Sequence, residues 1–137
     1  MPEPGARTIL AFDFGLKRIG VAVGEPELRS AHPLSAVSRF DQIRPLIAQW
    51  KPAMLVVGRP TSAQGQAHAM TRQAEDFARR LERLFKLPVA RVDERYSSTE
   101  AQSRLRGTRA GKGRTAKGNI DSVAAQLLLE QYFDEAA

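Results

Sequence analysis

The sequence predicts an α/β fold, a mixed sheet flanked by helices, and two observations support it. First, short apolar runs rich in β-branched residues recur along the chain, as in residues 19–23 and 54–57, which is typical of buried strands. Second, longer segments with helical spacing separate the later runs, so an opening meander of strands precedes two strand–helix–strand passages. Because 137 residues suffice to bury a core, we expect a single domain over residues 1–137.

The elements are predicted from these patterns in chain order. After a loose tail at residues 1–7, strands are expected near residues 8–14, 18–24, 33–38, 54–57 and 87–92. Residues 15–18 are short enough to be a hairpin connection. Helices are expected at residues 41–50, 67–85, from Ser97 or Ser98 to Arg104, and at 119–133. Residues 105–118 hold four glycines and no apolar periodicity, which predicts a mobile loop.

Positive charge is concentrated in this loop region. The formal net charge is +6, and six basic residues without an acidic one lie between positions 104 and 117. Removing these six from the 21 basic residues leaves 15, which equals the number of acidic residues. A basic segment on an otherwise neutral chain favours contact with a polyanion such as nucleic acid, although such a run is also common in solvated loops.

Composition excludes several classes of function. The chain has no cysteine, so disulfides, thiolate metal sites and thiol nucleophiles are absent, as is usual in a reducing cytosol. No apolar run approaches the roughly 20 residues that span a bilayer. The first five residues, Met1 to Gly5, also lack the apolar core of a signal peptide. We therefore expect a soluble cytoplasmic protein without a membrane partner.

Carboxylates follow the predicted strands where functional sites form in open α/β sheets, at the carboxyl ends of the parallel strands. Asp13 ends the first strand, Asp93 and Glu94 end the fifth, and Asp121 lies in the first turn of the last helix. Carboxylates placed this close repel one another unless a divalent cation lies between them. Oxygen ligands alone favour Mg²⁺ or Mn²⁺, and two such ions can promote phosphodiester hydrolysis.

Each carboxylate also has a purely structural interpretation. Asp13 could accept hydrogen bonds from backbone amides at a turn. Asp121 could favour a helix N-terminus through the helix dipole, and Asp93 could be a strand-end turn residue. Glu94 could form an ion pair with Arg95 or Arg91 at the surface.

Four ordered motifs resemble the YqgF/RuvX family of the RNase H-like superfamily. They are residues 13–22 (DFGLKRIGVA), Gly58-Arg59-Pro60 with Gly65, Asp93-Glu94-Arg95 followed by Glu100-Ala101, and residues 117–132. The resemblance spans nearly the whole chain. Two departures are Arg59, where the family usually has leucine, and Tyr96-Ser97-Ser98, where Leu-Thr-Thr is more common.

The resemblance implies an RNase H-like fold whose five-stranded mixed sheet has three antiparallel strands followed by two parallel ones. It further implies that Asp13, Glu94 and Asp121 are catalytic carboxylates that bind one or two Mg²⁺ or Mn²⁺ ions, with Asp93 less central. We expect basic residues near them and in the loop to bind phosphates. These are Lys17, Arg18, Arg59, Arg95, Arg106, Arg109, Lys112, Arg114 and Lys117.

The function expected from these features is a divalent-metal-dependent nuclease acting on structured nucleic acid. The resemblance implies two substrates, the 5′ end of pre-16S rRNA, which we favour, and the Holliday junction, whose symmetric cutting would need a homodimer. A nucleic-acid-binding ribosome maturation factor without turnover is the alternative from another class. The Asp-x-Gly opening also resembles the phosphate-binding hairpin of actin-like ATPases, but those need two domains, and 137 residues are too few.

Overall fold

The computed structural model describes residues 7–59, 65–94 and 117–136, with side chains described for 7–59, 71–94 and 122–135. Five strands form one sheet in the order β3-β2-β1-β4-β5. The strands are β1 Ile9–Asp13, β2 Ile19–Glu25, β3 Ser30–Val37, β4 Met54–Arg59 and β5 Val89–Asp93. The helices are a 3₁₀ turn at Phe40–Gln42, α1 Ile43–Trp50, α2 Gly65–Phe85 and α3 Lys117–Ala136.

The sheet has the mixed topology that the resemblance implies. Strand β2 pairs antiparallel with both β1 and β3, whereas β4 pairs parallel with both β1 and β5. Consequently β1, β4 and β5 all end at one edge of the sheet, which we call the carboxyl edge. The predicted meander followed by two crossover passages is thereby confirmed.

Alternation along the strands divides the core between the two faces of the sheet. On one face, Leu10, Phe12, Leu55 and Val57 pack with α1 and α2. On the other face, smaller residues pack against the buried stripe of α3; they are Ile9, Ala11, Ala22, Ala31, Val56 and Val92. Because these side chains are mostly short, α3 can lie close to the sheet.

Several element boundaries differ from those predicted. Strand β3 begins at Ser30 rather than near residue 33, because it continues directly from a tight turn at residues 26–29. Helix α3 begins at Lys117, so Lys117 and Gly118 belong to the helix and not to the predicted loop. The remainder of that loop, the predicted helix ending at Arg104 and most of the predicted tail lie outside the described residues.

Local sequence features account for the first turn and the end of α1. Pro45 is the third residue of α1, within the first turn, where its missing N–H costs no intrahelical hydrogen bond. The helix ends at Trp50 because Lys51 adopts a left-handed conformation (φ 47°) and Pro52 follows.

Among the helices of the described segments, none has the length and apolar character needed to cross a bilayer.

Candidate active site at the carboxyl edge

Asp13 is the last residue of β1 and is half-buried at the carboxyl edge. Its register partner on β2 is Gly20. Because Ile9 and Ala11 face α3, alternation places Asp13 on that face as well. The residue after it, Phe14, packs against Phe77 of α2 on the opposite face, with ring centroids 5.2 Å apart.

Glu94 lies on the same face of the sheet, directly over the backbone of Gly58. A methyl group on Gly58 would lie 2.7 Å from Glu94 Oε2 and 2.9 Å from Leu128 Cδ2 of α3. The Glu94 N–H donates to the Arg59 carbonyl at 2.9 Å, which continues the parallel hydrogen-bonding pattern beyond β5. Glycine at position 58 is therefore what leaves room for the Glu94 carboxylate.

The strand register brings Asp13 and Glu94 to either side of this glycine. Phe12 is paired with Val57, so the next pair along the same strands is Asp13 with Gly58. On the other side, Gly58 is paired with Val92, and Glu94 follows two residues later on the same face. Strands β1 and β5 flank β4, so the side chains of Asp13 and Glu94 lie on one face of the carboxyl edge, and Glu94 occupies the space that the missing Gly58 side chain leaves.

Helix α3 is fixed to the sheet at this edge by a buried hydrogen bond. The Val21 N–H donates to Ser122 Oγ at 3.3 Å, and Ser122 is fully buried. Further along the helix, Gln131 Nε2 donates to the Asp93 carbonyl at 2.6 Å. These bonds attach the helix to β2 near the partner of Asp13 and to β5 just before Glu94.

Asp121 immediately precedes Ser122, so its backbone lies in the part of α3 that meets the carboxyl edge. Position 121 also precedes Ala125 by four residues and Leu128 by seven, and both of those side chains are buried against the sheet. The side chain of Asp121 is outside the described residues, as is that of Lys117.

Asp93 occupies a different surface from the other two strand-end carboxylates. Its Oδ1 lies 2.8 Å from an Arg59 terminal nitrogen and 3.0 Å from Arg59 Nε. Alternation places both residues on the α2 side of the sheet, opposite Gly58 and Glu94. The structure thus pairs Asp93 with Arg59, a predicted phosphate ligand, rather than with Asp13 and Glu94.

The remaining predicted phosphate ligands divide into two groups. Lys17 and Arg18 are exposed in the turn between β1 and β2, beside Asp13. That turn is tight, since a methyl group on Gly15 would lie 2.6 Å from the Arg18 carbonyl oxygen. The others lie outside the described residues; they are Arg95, Arg106, Arg109, Lys112 and Arg114.

Arg91 belongs to a separate ion-pair network and is not a partner of Glu94. Its guanidinium donates to Glu75 at 2.9 and 3.2 Å and to Glu82 at 2.6 and 3.2 Å. The hydrogen bond from Arg91 lowers the pKa of Glu82, and the same bond raises the pKa of Arg91. These charges connect β5 to α2, which indicates a structural role away from the carboxyl edge.

The donor set fits a hard divalent cation, but the described side chains supply only part of a site. Asp13 and Glu94 offer carboxylate oxygens on one face, with the Gly58 backbone between them. Among the described side chains, no group of three or more acidic, histidine or cysteine residues could hold a metal ion. A third ligand from α3 would complete the set of hard oxygen donors that Mg²⁺ and Mn²⁺ prefer.

Two residues that organise this edge were not predicted from the sequence. Ser122 attaches α3 to β2, and Gln131 attaches it to β5. A polar residue on an otherwise apolar helix stripe is the signal that marks Ser122. Nothing in the sequence distinguishes Gln131 from an ordinary exposed glutamine.

Comparison with known proteins identifies the family to which this sequence belongs. Residues 7–135 match the model of the family described as RuvX: Holliday junction resolvase. A relative in Dechloromonas aromatica is 51% identical over 133 residues, covering 93% of this chain and 90% of the relative. One in Methylobacillus flagellatus is 49% identical, covering 100% and 99%. Both are named as candidate pre-16S rRNA nucleases.

The fold is also that of a solved resolvase. T. thermophilus RuvC in complex with a Holliday junction substrate superposes with a TM-score of 0.62 over 94% of both chains, at 13% sequence identity. At this identity the likeness establishes the fold alone, and the sheet is accordingly RNase H-like. With the family match covering nearly the whole sequence, the chain belongs to the RuvX family.

Proposed function

We propose that this protein is a divalent-metal-dependent nuclease that hydrolyses phosphodiester bonds in structured nucleic acid. The observation that carries the proposal is the placement of the Asp13 and Glu94 carboxylates on one face, on either side of Gly58. Membership of a family of nucleases supports the reaction class. We further propose that the protein acts in the cytoplasm as a soluble enzyme.

Asp13, Glu94 and Asp121 would hold one or two Mg²⁺ or Mn²⁺ ions. When bound, such ions lower the pKa of a coordinated water and neutralise charge on the leaving oxygen. As ligands, Asp13 would be positioned by strand pairing, Glu94 by the space that Gly58 leaves for it, and position 121 by the adjacent buried Ser122. Preorganised carboxylates need not reorganise as the reaction proceeds.

The exposed cations beside the site would bind the substrate backbone. Lys17 and Arg18 lie in the turn that follows Asp13, so a phosphate held there would lie near the proposed metal ligands. The Arg59 guanidinium is pre-positioned by Asp93 on the opposite face, where it could contact a phosphate further along the strand. Basic residues at positions 95–117 would extend this contact.

We favour the 5′ end of pre-16S rRNA as the substrate, because relatives about half identical to this chain carry that name. Holliday junction cutting is the second candidate, because the family itself is described as a resolvase. Symmetric cutting of a junction would require a homodimer, since two strands must be cut together.

The test is a cleavage assay on labelled pre-16S rRNA and on junction DNA, with Mg²⁺, Mn²⁺ or chelator. We expect metal-dependent cutting that is lost in Asp13→Asn and Glu94→Gln. It should be retained in the matched surface control Asp41→Asn, whose carboxylate pairs only with exposed Arg39 among the described residues. Binding of either substrate without cutting under any metal would refute the nuclease and leave a non-catalytic maturation factor.

A further inference from the structure

A cleft of about 340 Å³ opens beside the candidate active site, on the α2 face of the sheet. Its apolar wall includes Phe14, Phe40 and Phe77, and we call it the aromatic cleft. Phe77 is the centre of this wall, with ring centroids 5.2 Å from Phe14 and 5.8 Å from Phe40. Because Phe14 follows Asp13 directly, the cleft begins one residue from the proposed metal ligand.

Hydrogen bonds and a cation–π contact hold the wall of the cleft in shape. The side chain of Gln42 accepts hydrogen bonds from the backbone N–H groups of Ser38 and Arg39, at 2.7 and 3.1 Å, which fixes the segment that carries Phe40. The Arg80 guanidinium lies 3.8 Å from the centroid of the Phe40 ring. These contacts indicate a preformed site rather than a gap between loose side chains.

Polar groups complete the wall. Gln73, Asp76 and Arg80 lie at successive turns of α2 and all line the cleft. On the other side, the turn after β1 contributes Lys17 and the side chain of Leu16, which is 71% exposed. The cleft therefore combines an aromatic surface, hydrogen-bonding groups and two cations.

We propose that the aromatic cleft binds one unpaired nucleobase of the substrate strand whose backbone crosses the carboxyl edge. This rests on the proposed nuclease function and adds a specificity-determining subsite to it. Aromatic rings and guanidinium planes stack with bases, and unpaired bases in RNA are recognised in this way. The volume falls within the range of small-molecule sites, which begins at roughly 300 Å³.

The composition of the cleft distinguishes a base from other occupants. A phosphate would be repelled by Asp76, whereas a base offers N–H groups that can donate hydrogen bonds to this carboxylate. A purely apolar protein side chain would leave Gln73 and Asp76 without hydrogen-bond partners. Lys17 and Arg80 at the cleft are suited to the phosphates that flank a base.

The test compares binding of a short single-stranded RNA with a series carrying one abasic ribose at each position, in chelator so that no cutting occurs. Removing the base leaves the backbone charge unchanged. In the wild-type protein, we expect one position whose abasic form raises Kd roughly tenfold, which lies within the range of about 5- to 150-fold that stacking of one base contributes.

Two pairs of variants locate the effect. The penalty should fall well below tenfold in Gln73→Ala and Leu16→Ala, which remove a hydrogen-bonding group and an apolar part of the cleft wall. It should persist in Gln49→Ala, an exposed glutamine on α1, and in Leu28→Ala, whose side chain is 69% exposed but outside the aromatic cleft. In the wild-type protein, a 4-thiouridine at the sensitive position should photo-cross-link to the peptide containing Phe14 or Phe40.

The outcomes separate this proposal from the nuclease itself. RNA binding with no abasic penalty, or a penalty unchanged in both cleft variants, overturns the base subsite even if metal-dependent cutting is found. A penalty reduced by Gln73→Ala in a protein that never cuts supports the subsite and refutes the nuclease.

Discussion

Replacing Gly58 with alanine tests whether the position of the Glu94 carboxylate governs catalysis. The added methyl group would lie 2.7 Å from Glu94 Oε2, 3.1 Å from Glu94 Cγ and 2.9 Å from Leu128 Cδ2. Since carbon contacts are optimal near about 3.5 Å or more, these atoms must move by roughly 0.4 to 0.8 Å. Both the carboxylate and the packing of α3 are therefore displaced.

The expected stability cost is about 1–3 kcal/mol in the free energy of unfolding, as for an extra methyl group in a packed interior. The effect on activity should be larger. A ligand displaced by close to 1 Å can lower the rate by roughly 10²-fold, so we expect cleavage to slow about tenfold to a hundredfold. The midpoint of the Mn²⁺ titration should also rise, because Glu94 would no longer be held in place for the metal.

Urea denaturation and initial cleavage rates across a Mn²⁺ series would measure the two effects separately. A double-mutant cycle with Glu94→Ala provides the control, because truncation of Glu94 removes the shortest contact. In that background, the alanine at position 58 should cost at least about 0.5 kcal/mol less stability. If Gly58→Ala folds and cuts at the wild-type rate with the same Mn²⁺ midpoint, the assignment of Glu94 as a positioned ligand is refuted.

Three further predictions concern the surroundings of the site. Ser122→Ala removes the acceptor for the buried Val21 N–H and should cost about 1–3 kcal/mol in urea denaturation; a change below about 0.5 kcal/mol would contradict this. Because the hydrogen bond from Arg91 lowers the pKa of Glu82, the ionised carboxylate stabilises the fold above the ordinary pKa of a glutamate, and this stabilisation is lost as the pH falls through the lowered pKa. Arg91→Gln should therefore show a flatter decline of unfolding free energy with acidification, and an unchanged slope would refute it. Asp93→Asn breaks a half-exposed ion pair, so it should cost at most about 1 kcal/mol and leave a cleavage rate far above that of Asp13→Asn; equal losses would instead make Asp93 a metal ligand.

The sheet and its carboxyl edge could be predicted because apolar runs and their order determine topology. Runs such as Met54 to Val57 predict buried strands, and a crossover between parallel strands brings their ends to one edge. The convergence of Asp13 and Glu94 on the same edge follows from that topology. The observed bounds of α3 and β3 differ from the predicted ones by one to three residues, since turn geometry rather than hydrophobicity decides where an element begins and ends.

The finer chemistry could not be predicted because it depends on contacts between distant segments. Which of Asp93 and Glu94 faces α3 is decided by the register of β5 on β4; hydrophobic patterning does not indicate it, and only the family resemblance favoured Glu94. The preference of Arg91 for Glu75 and Glu82 depends on how α2 lies across β5. The hydrogen bond to Ser122 spans 101 positions in the sequence.

The carboxyl edge presents two chemically different surfaces because a strand alternates its side chains between faces. Toward α3 it presents Asp13, the bare backbone of Gly58 and Glu94, while toward α2 it presents Phe14 and the Arg59–Asp93 pair. Each strand end therefore has, at consecutive positions, one residue on the α3 face, with the proposed metal ligands, and one on the α2 face, where the substrate would bind. A shift of one residue in register would exchange these roles on that strand. Substitutions at positions on the α3 face should change the dependence of cleavage on metal concentration. Substitutions at positions on the α2 face should change substrate preference at a saturating metal concentration.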